Sequence, residues 1–130
     1  MEKLSVQQIK TILHFWMRVL EVEDQQKRDT FKLSLFAILQ ANHPRRLYND
    51  YDPQGELLEC VRAAGVECKG HMFSGKGIFP QKTGTEHVNG MVRVKVGYGN
   101  TLGMASTPED VDTLLKGYRV GPNWKGGEPS

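Results

Sequence analysis

The amino-acid sequence predicts an α+β fold, in which helices precede a small antiparallel β-meander and one further helix follows it. Three observations predict this order. The first 43 residues contain no Gly and no Pro and carry apolar residues at helical spacing. Residues 66–105 hold 8 of the 14 glycines and include valines that alternate with charged residues, as in a half-buried strand. Thr107 followed by Pro108 is a strong helix start.

Two apolar stripes fill the first 43 residues. Ser5 is predicted to cap the first helix, with Gln8 as its partner in a capping box. The stripes predict either an αα-hairpin or one bent helix, because no Gly or Pro separates them. The first stripe is wide, which predicts either a central core helix or an oligomer interface anchored by Phe15 and Trp16.

Residues 45–54 are expected to form a loop, because Asn, Asp and Pro cluster there. A short helix is expected over about 55–64, where Gly65 is placed to end it in the left-handed conformation. We therefore expect the chain to leave its helical part near residue 66.

The β-meander is expected after Gly65. A strand is predicted over Val66–Phe73 and a turn over Ser74–Gly77. The clearest strand signal runs from Val88 to Val96 and includes Asn89-Gly90, a strong hairpin dipeptide.

The chain has the size of one domain, with 130 residues. We expect a single domain over 1–120, made of a helical arm (1–43) and an α+β core (44–120), and a flexible Gly/Pro-rich tail over 121–130. The net charge of +2 does not favour a polyanionic partner, so we expect no stable DNA or RNA binding. No apolar run reaches the roughly 18 residues of a membrane span. With two cysteines and no signal peptide, the sequence indicates a cytoplasmic protein with reduced thiols.

The sequence contains no recognisable catalytic motif. Cys60, Cys68 and His71 are spaced in a pattern that matches no standard zinc site, so we expect neither a metal nor a cofactor. Cys68 is a candidate nucleophile, and His71 or His87 is the candidate base. These residues leave a small cytosolic hydrolase or transferase as an alternative function. We expect a binding protein rather than an enzyme.

Positive charge is concentrated in the glycine-rich segment. Residues 66–105 carry five Lys and Arg against two Asp and Glu, which exceeds the net charge of the whole chain. Glycines let backbone N–H groups approach a ligand, and basic side chains hold phosphates. This pattern predicts a nucleotide-binding site. The candidate phosphate ligands are Lys76, Lys82, Arg93 and Arg119; the candidate base contacts are Phe79, Tyr98 and Asn89.

Each of these assignments has a structural alternative. The segment around Lys76 has the composition of a solvated hairpin turn. Asn89 is equally the residue that a hairpin turn requires. Arg93 is equally an outward-facing strand residue.

In length, helix-then-sheet order and basic glycine-rich core, the sequence resembles the first Thoeris anti-defence family of phage proteins. The resemblance implies a protein that sequesters cyclic ADP-ribose or a related cyclic oligonucleotide signal without cleaving it, in the host bacterial cytoplasm. It also implies a homo-oligomer through the N-terminal helices, with pockets between subunits. Such a pocket needs an aromatic ring, an amide and basic groups, for which Phe79, Asn89, Lys82 and Arg119 are the candidates here. The alternative is a small protein inhibitor of a host defence enzyme or nuclease.

Overall fold

The computed structural model describes residues 3–66, 78–80, 82–97 and 100–116. These residues form an α+β fold, as predicted, with N-terminal helices, an antiparallel sheet and a C-terminal helix. The helices are α1 (Val6–Val19), α2 (Gln25–Asn42), α3 (Gly55–Ala63) and α4 (Pro108–Leu115). The strands are β1 (Arg46–Asp50), β2 (Asp52–Pro53), β3 (Lys82–Val88), β4 (Met91–Val96) and β5 (Asn100–Ala105). The sheet has the order β2-β1-β3-β4-β5, and all neighbours are antiparallel.

The N-terminal segment is an αα-hairpin rather than one bent helix. The Ser5–Gln8 capping box begins α1 as predicted. Asp24 then caps α2 by accepting a hydrogen bond from the backbone N–H of Lys27. Arg28 joins the two helices, because its guanidinium donates to carbonyl groups in the last turn of α1 and in the segment that follows it, which lack helical partners. The three acceptors are the carbonyls of Met17, Leu20 and Val22, at 2.8, 3.0 and 2.9 Å.

The expectation of a loop over residues 45–54 was wrong for β1. Arg46–Asp50 pairs with β3 over five residues, and Leu47 and Asn49 are buried while their neighbours are exposed. Turn-forming residues disfavour a strand locally, but pairing with a neighbour and burial of one face override that preference.

Three further local signals are confirmed. Gly65 has a φ of +72°, and the N–H of Val66 donates to the carbonyl of Val61 at 3.2 Å, which completes a left-handed cap. Thr107 caps α4 by accepting from the N–H of Asp110 at 3.1 Å. Asn89, with a φ of 48°, and the glycine after it turn β3 into β4.

Several sequence predictions lie outside the described residues. These are the strand predicted beyond Val66, the turn at Ser74–Gly77 and the tail at 121–130.

The helices and the inner face of the sheet share one hydrophobic core. Phe15 and Trp16 are fully buried there, so the wide stripe of α1 is a core stripe. The two rings are therefore not available as interface anchors, and that part of the oligomer prediction was wrong. Among the described helices, none combines the length and apolar character needed to cross a membrane.

Candidate functional site

The outer face of the sheet, opposite the helices, is the candidate site. Strand alternation directs the inner residues of β3 and β4, such as Thr85 and Val94, into the core, and their neighbours outward. The outward residues come from three adjacent strands and are mostly charged. They include Arg46 and Tyr48 on β1, Gly84 and Glu86 on β3, and Arg93 and Lys95 on β4.

A depression of about 160 Å³ lies on this outer face. Its floor is at Gly84, which pairs with Tyr48 on one side and Lys95 on the other. A Cβ atom at residue 84 would lie 3.2 Å from both the carbonyl oxygen of Leu47 and the Cβ of Tyr48. The glycine therefore allows the close approach of β1 and leaves a space that a side chain would fill.

A row of charged residues borders the depression across the three strands. In the strand ladder, Glu86 on β3 pairs directly with Arg46 on one side and with Arg93 on the other. Since neighbouring strands are about 4.8 Å apart, the two arginine Cα atoms are roughly 10 Å apart. Glu86 accepts a hydrogen bond from Arg93 at 3.0 Å and lies 3.5 Å from the Nε of Arg45. Three cationic groups and one carboxylate line the depression, so its net charge is positive.

Two exposed tyrosines lie near the β1 edge of the depression, one on β1 and one in the turn that follows it. Tyr48 is 42% exposed, and the guanidinium of Arg46 lies 5.5 Å from its ring centroid. Tyr51 is 38% exposed at the β1–β2 turn, and the Nζ of Lys82 lies 5.9 Å from its ring centroid. Tyr51 has a φ of 65°, a conformation in which Asn or Gly is usual and a bulky side chain is strained.

The structure brings two of the predicted ligand residues onto the outer face. Lys82 and Arg93 are both accessible there. Asn89 lies instead in the exposed turn at the end of the β3–β4 hairpin, in the conformation that the turn requires. Lys76, Tyr98 and Arg119 lie outside the described residues.

Phe79 lies in the core, which removes it from the candidate ligand residues. It is 4% exposed and packs edge-on against Trp16, with ring centroids 4.9 Å apart, and also against Phe31. Its ring contributes to the contact between the helical hairpin and the segment before β3, and a nucleobase has no access to it.

The residues considered for catalysis do not form a constellation in the described part of the chain. Cys60 is buried, and desolvation, with smaller contributions from Glu59 and Glu56, raises the pKa of its thiol to about 12. It is a small core residue rather than a nucleophile. Cys68 and His71 lie outside the described residues.

Two of the histidines that the structure describes, His87 and His14, are positioned by the surrounding fold. His87 is 4% exposed and borders a second groove, of about 570 Å³, beside Asn89. The Nε2 of His14 lies 2.9 Å from the carboxylate of Asp112 on α4. Among the described residues, no group of three potential ligands is placed to hold a metal ion.

Arg46, Tyr48 and Tyr51 were missed as site residues because residues 45–54 were interpreted as a loop. The sequence carries little signal for this strand, because one of its two buried positions is the polar Asn49 while the aromatic Tyr48 is exposed. No protein-family model, no curated protein and no solved structure matches this chain.

Proposed function

We propose that this protein binds a small phosphorylated nucleotide on the outer face of its sheet and holds it without cleaving it. One observation carries the proposal: Arg46, Arg93 and Lys95 surround a glycine-floored depression that has an exposed tyrosine at its edge.

The side chains around the depression suit a phosphate. Arginine presents a planar fork of donors that can hold two phosphate oxygens at once, and lysine adds a compact charge. Arg46 and Arg93 stand on opposite sides of Glu86 in the ladder, so one phosphate group can be approached from both sides. Tyr48 supplies a ring on which a base or ribose can pack.

Glu86 opposes anion binding and so limits affinity. Its carboxylate is already hydrogen-bonded to Arg93, and a phosphate would compete for that guanidinium.

The side chains that line the depression support the proposal that the ligand is held without being cleaved. The hydroxyl of Thr85 accepts a hydrogen bond from Trp16 on the core side, and Glu86 is ion-paired. Neither is arranged as a nucleophile with an adjacent base. The resemblance to the first Thoeris anti-defence family supplies the biological role within this proposal, which is sequestration of a cyclic ADP-ribose or cyclic oligonucleotide signal.

Calorimetric titration of AMP, ADP, cyclic ADP-ribose isomers and cyclic dinucleotides tests the proposal. We expect at least one ligand to bind with a Kd below about 10 μM, or roughly −7 kcal/mol, and to be recovered unchanged after denaturation. Recovery of a product would instead support the hydrolase or transferase alternative. If no nucleotide binds at this level, the proposal fails and an inhibitor of a host protein takes its place.

Matched variants locate the site. Arg93→Ala and Lys95→Ala should each weaken binding by about fivefold or more, as expected for a lost charge-assisted hydrogen bond. Glu86→Gln should strengthen it, because the competing carboxylate is removed. Arg62→Ala, an exposed arginine on α3, serves as the control and should leave affinity unchanged.

A further inference from the structure

We propose that the outer face binds a dinucleotide unit, with one nucleobase on Tyr48 and the adjacent nucleobase on Tyr51. This inference rests on the proposed function and names the class of ligand for the same site. A dinucleotide unit occurs both as a free small molecule and as a segment of a single strand, and the experiment below distinguishes these sources.

The first observation is that the two tyrosines form a matched pair. Each is more than a third exposed, and each has a cationic group within 6 Å of its ring centroid: Arg46 for Tyr48 and Lys82 for Tyr51. A tyrosine beside a cation offers a base a stacking surface and offers the attached phosphate a counter-charge.

The second observation is the strained backbone of Tyr51. A tyrosine with a φ of 65° has a higher conformational energy than Asn or Gly at the same place. The residue is more than a third exposed, so the ring is not part of the fully buried core. Strained residues cluster at functional sites, which makes Tyr51 a candidate for contact with a ligand.

The third observation is the spacing. Tyr48 and Tyr51 are three residues apart in a strand and its turn, so their Cα atoms are separated by at most about 10 Å. Two adjacent nucleotides of one strand can therefore reach both rings. A base must leave its paired stack to lie on a tyrosine, which a single-stranded unit allows and a duplex does not.

The charges along the outer face fit the phosphates of such a unit. Arg93 and Lys95 lie beyond Tyr48 across the sheet and suit a terminal phosphate. Lys82, next to Tyr51, suits the phosphate that links the two nucleosides. Asp50 is the ladder partner of Lys82 and reduces the positive charge there, so Asp50→Asn should strengthen dinucleotide binding more than mononucleotide binding.

The experiment compares AMP with 5′-phosphorylated ApA by calorimetry on the full chain. We expect the dinucleotide to bind about tenfold more tightly than AMP, the order expected from one additional base–aromatic stack. Equal affinities, within a factor of two, would overturn the inference while leaving the proposed function intact. If neither ligand binds at millimolar concentration, the inference is wrong, and the titrations of cyclic ADP-ribose isomers and cyclic dinucleotides then decide the proposed function separately.

Variants at residue 51 separate the contribution of the tyrosine ring to binding from its contribution to folding. Tyr51→Asn suits the left-handed backbone and removes the ring, so it should abolish the tenfold advantage and leave AMP binding unchanged. Tyr51→Phe should keep the advantage. If Tyr51→Asn weakens both ligands equally, or neither, the second base does not lie on this ring and the inference is wrong. Phe36→Ala, which removes an exposed aromatic ring from α2, is the control and should change nothing.

A ten-residue oligoadenylate identifies the source of the unit. Binding of the oligomer at least as tight as that of the dinucleotide supports a segment of a single strand. Binding of the dinucleotide with exclusion of the oligomer supports a free small molecule. A duplex of the same length should bind more weakly than the dinucleotide, because paired bases cannot lie on the two rings, and preferential duplex binding would overturn the inference.

Discussion

The indole Nε1–H of Trp16 donates a hydrogen bond to the hydroxyl oxygen of Thr85 at 3.0 Å, which joins α1 to the central strand β3 inside the core. Both residues are buried. The indole N–H of a buried tryptophan is costly to leave without a hydrogen-bond acceptor, and Thr85 supplies that acceptor. The wide apolar stripe of α1 is thereby fixed against the sheet.

Thr85→Val tests this bond. Valine keeps the shape of the side chain but leaves the indole N–H buried without its acceptor, which should lower the free energy of unfolding by about 1–3 kcal/mol. Urea denaturation measures the loss. Thr101→Val, the same change at an exposed position of β5, is the control and should have little effect. Equal losses in the two variants would show that the hydrogen bond contributes nothing specific.

Glu21 is expected to make stability depend on pH. Burial raises the pKa of its carboxyl group to about 7, and one of its oxygens has no hydrogen-bond partner among the described residues. The folded state therefore holds a proton that the unfolded state releases near pH 4.5. Stability from this group is greatest at low pH and falls as the pH rises from about 4.5 to 7.

Glu21→Gln should remove this dependence. We expect the variant to be more stable than the wild type at pH 8 and close to it at pH 4, because glutamine imitates the protonated acid. Denaturant unfolding over this pH range measures the difference. Glu23→Gln, at an exposed neighbour, should leave the pH profile unchanged. A parallel profile for Glu21→Gln and the wild type would contradict the assignment.

Local backbone signals in the sequence were sufficient to predict α1, α3 and α4, but they left open the break between α1 and α2. The capping box at Ser5, the cap at Thr107 and the glycine at residue 65 all depend on contacts within a few residues, so they could be recognised without knowledge of the fold. Strand β1 could not be recognised in this way, because Leu47 and Asn49 pair with Thr85 and Thr83, more than thirty residues further along the chain.

The candidate site was only partly predictable for the same reason. Charge concentration identified Lys82 and Arg93, which lie on the outer face. Sequence alone could not tell that Phe79 faces inward, because no alternating pattern surrounds it and its partners Trp16 and Phe31 lie on distant helices. The composition thus indicated the chemistry of the site, while the long-range pairing of β1 with β3 determined which residues form it.

Asn89 had two predicted roles, in the turn and in the ligand site, and glycine substitution separates them. Its φ of 48° suits Asn and Gly but not Ala. Asn89→Gly should therefore keep both stability and nucleotide affinity, whereas Asn89→Ala should lower the free energy of unfolding by about 1 kcal/mol. Thermal unfolding and calorimetry measure the two effects. A loss of affinity in a stable Asn89→Gly variant would restore the side chain to the ligand site.

Gly84 is the residue at which fold and binding are most closely joined. A Cβ atom there would lie 3.2 Å from the carbonyl oxygen of Leu47, an atom that the β1–β3 ladder prevents from moving away. Gly84→Ala should therefore lower the free energy of unfolding by about 1 kcal/mol, in spite of the better strand propensity of alanine.

The same methyl group would fill the floor of the depression and should weaken nucleotide binding at a temperature where the variant remains folded. Lys95→Ala provides the matched comparison, because it removes a cationic group from the rim and should weaken binding without loss of stability. If Gly84→Ala binds the nucleotide as tightly as the wild type while Lys95→Ala does not, the ligand lies on the rim of the outer face and not over Gly84.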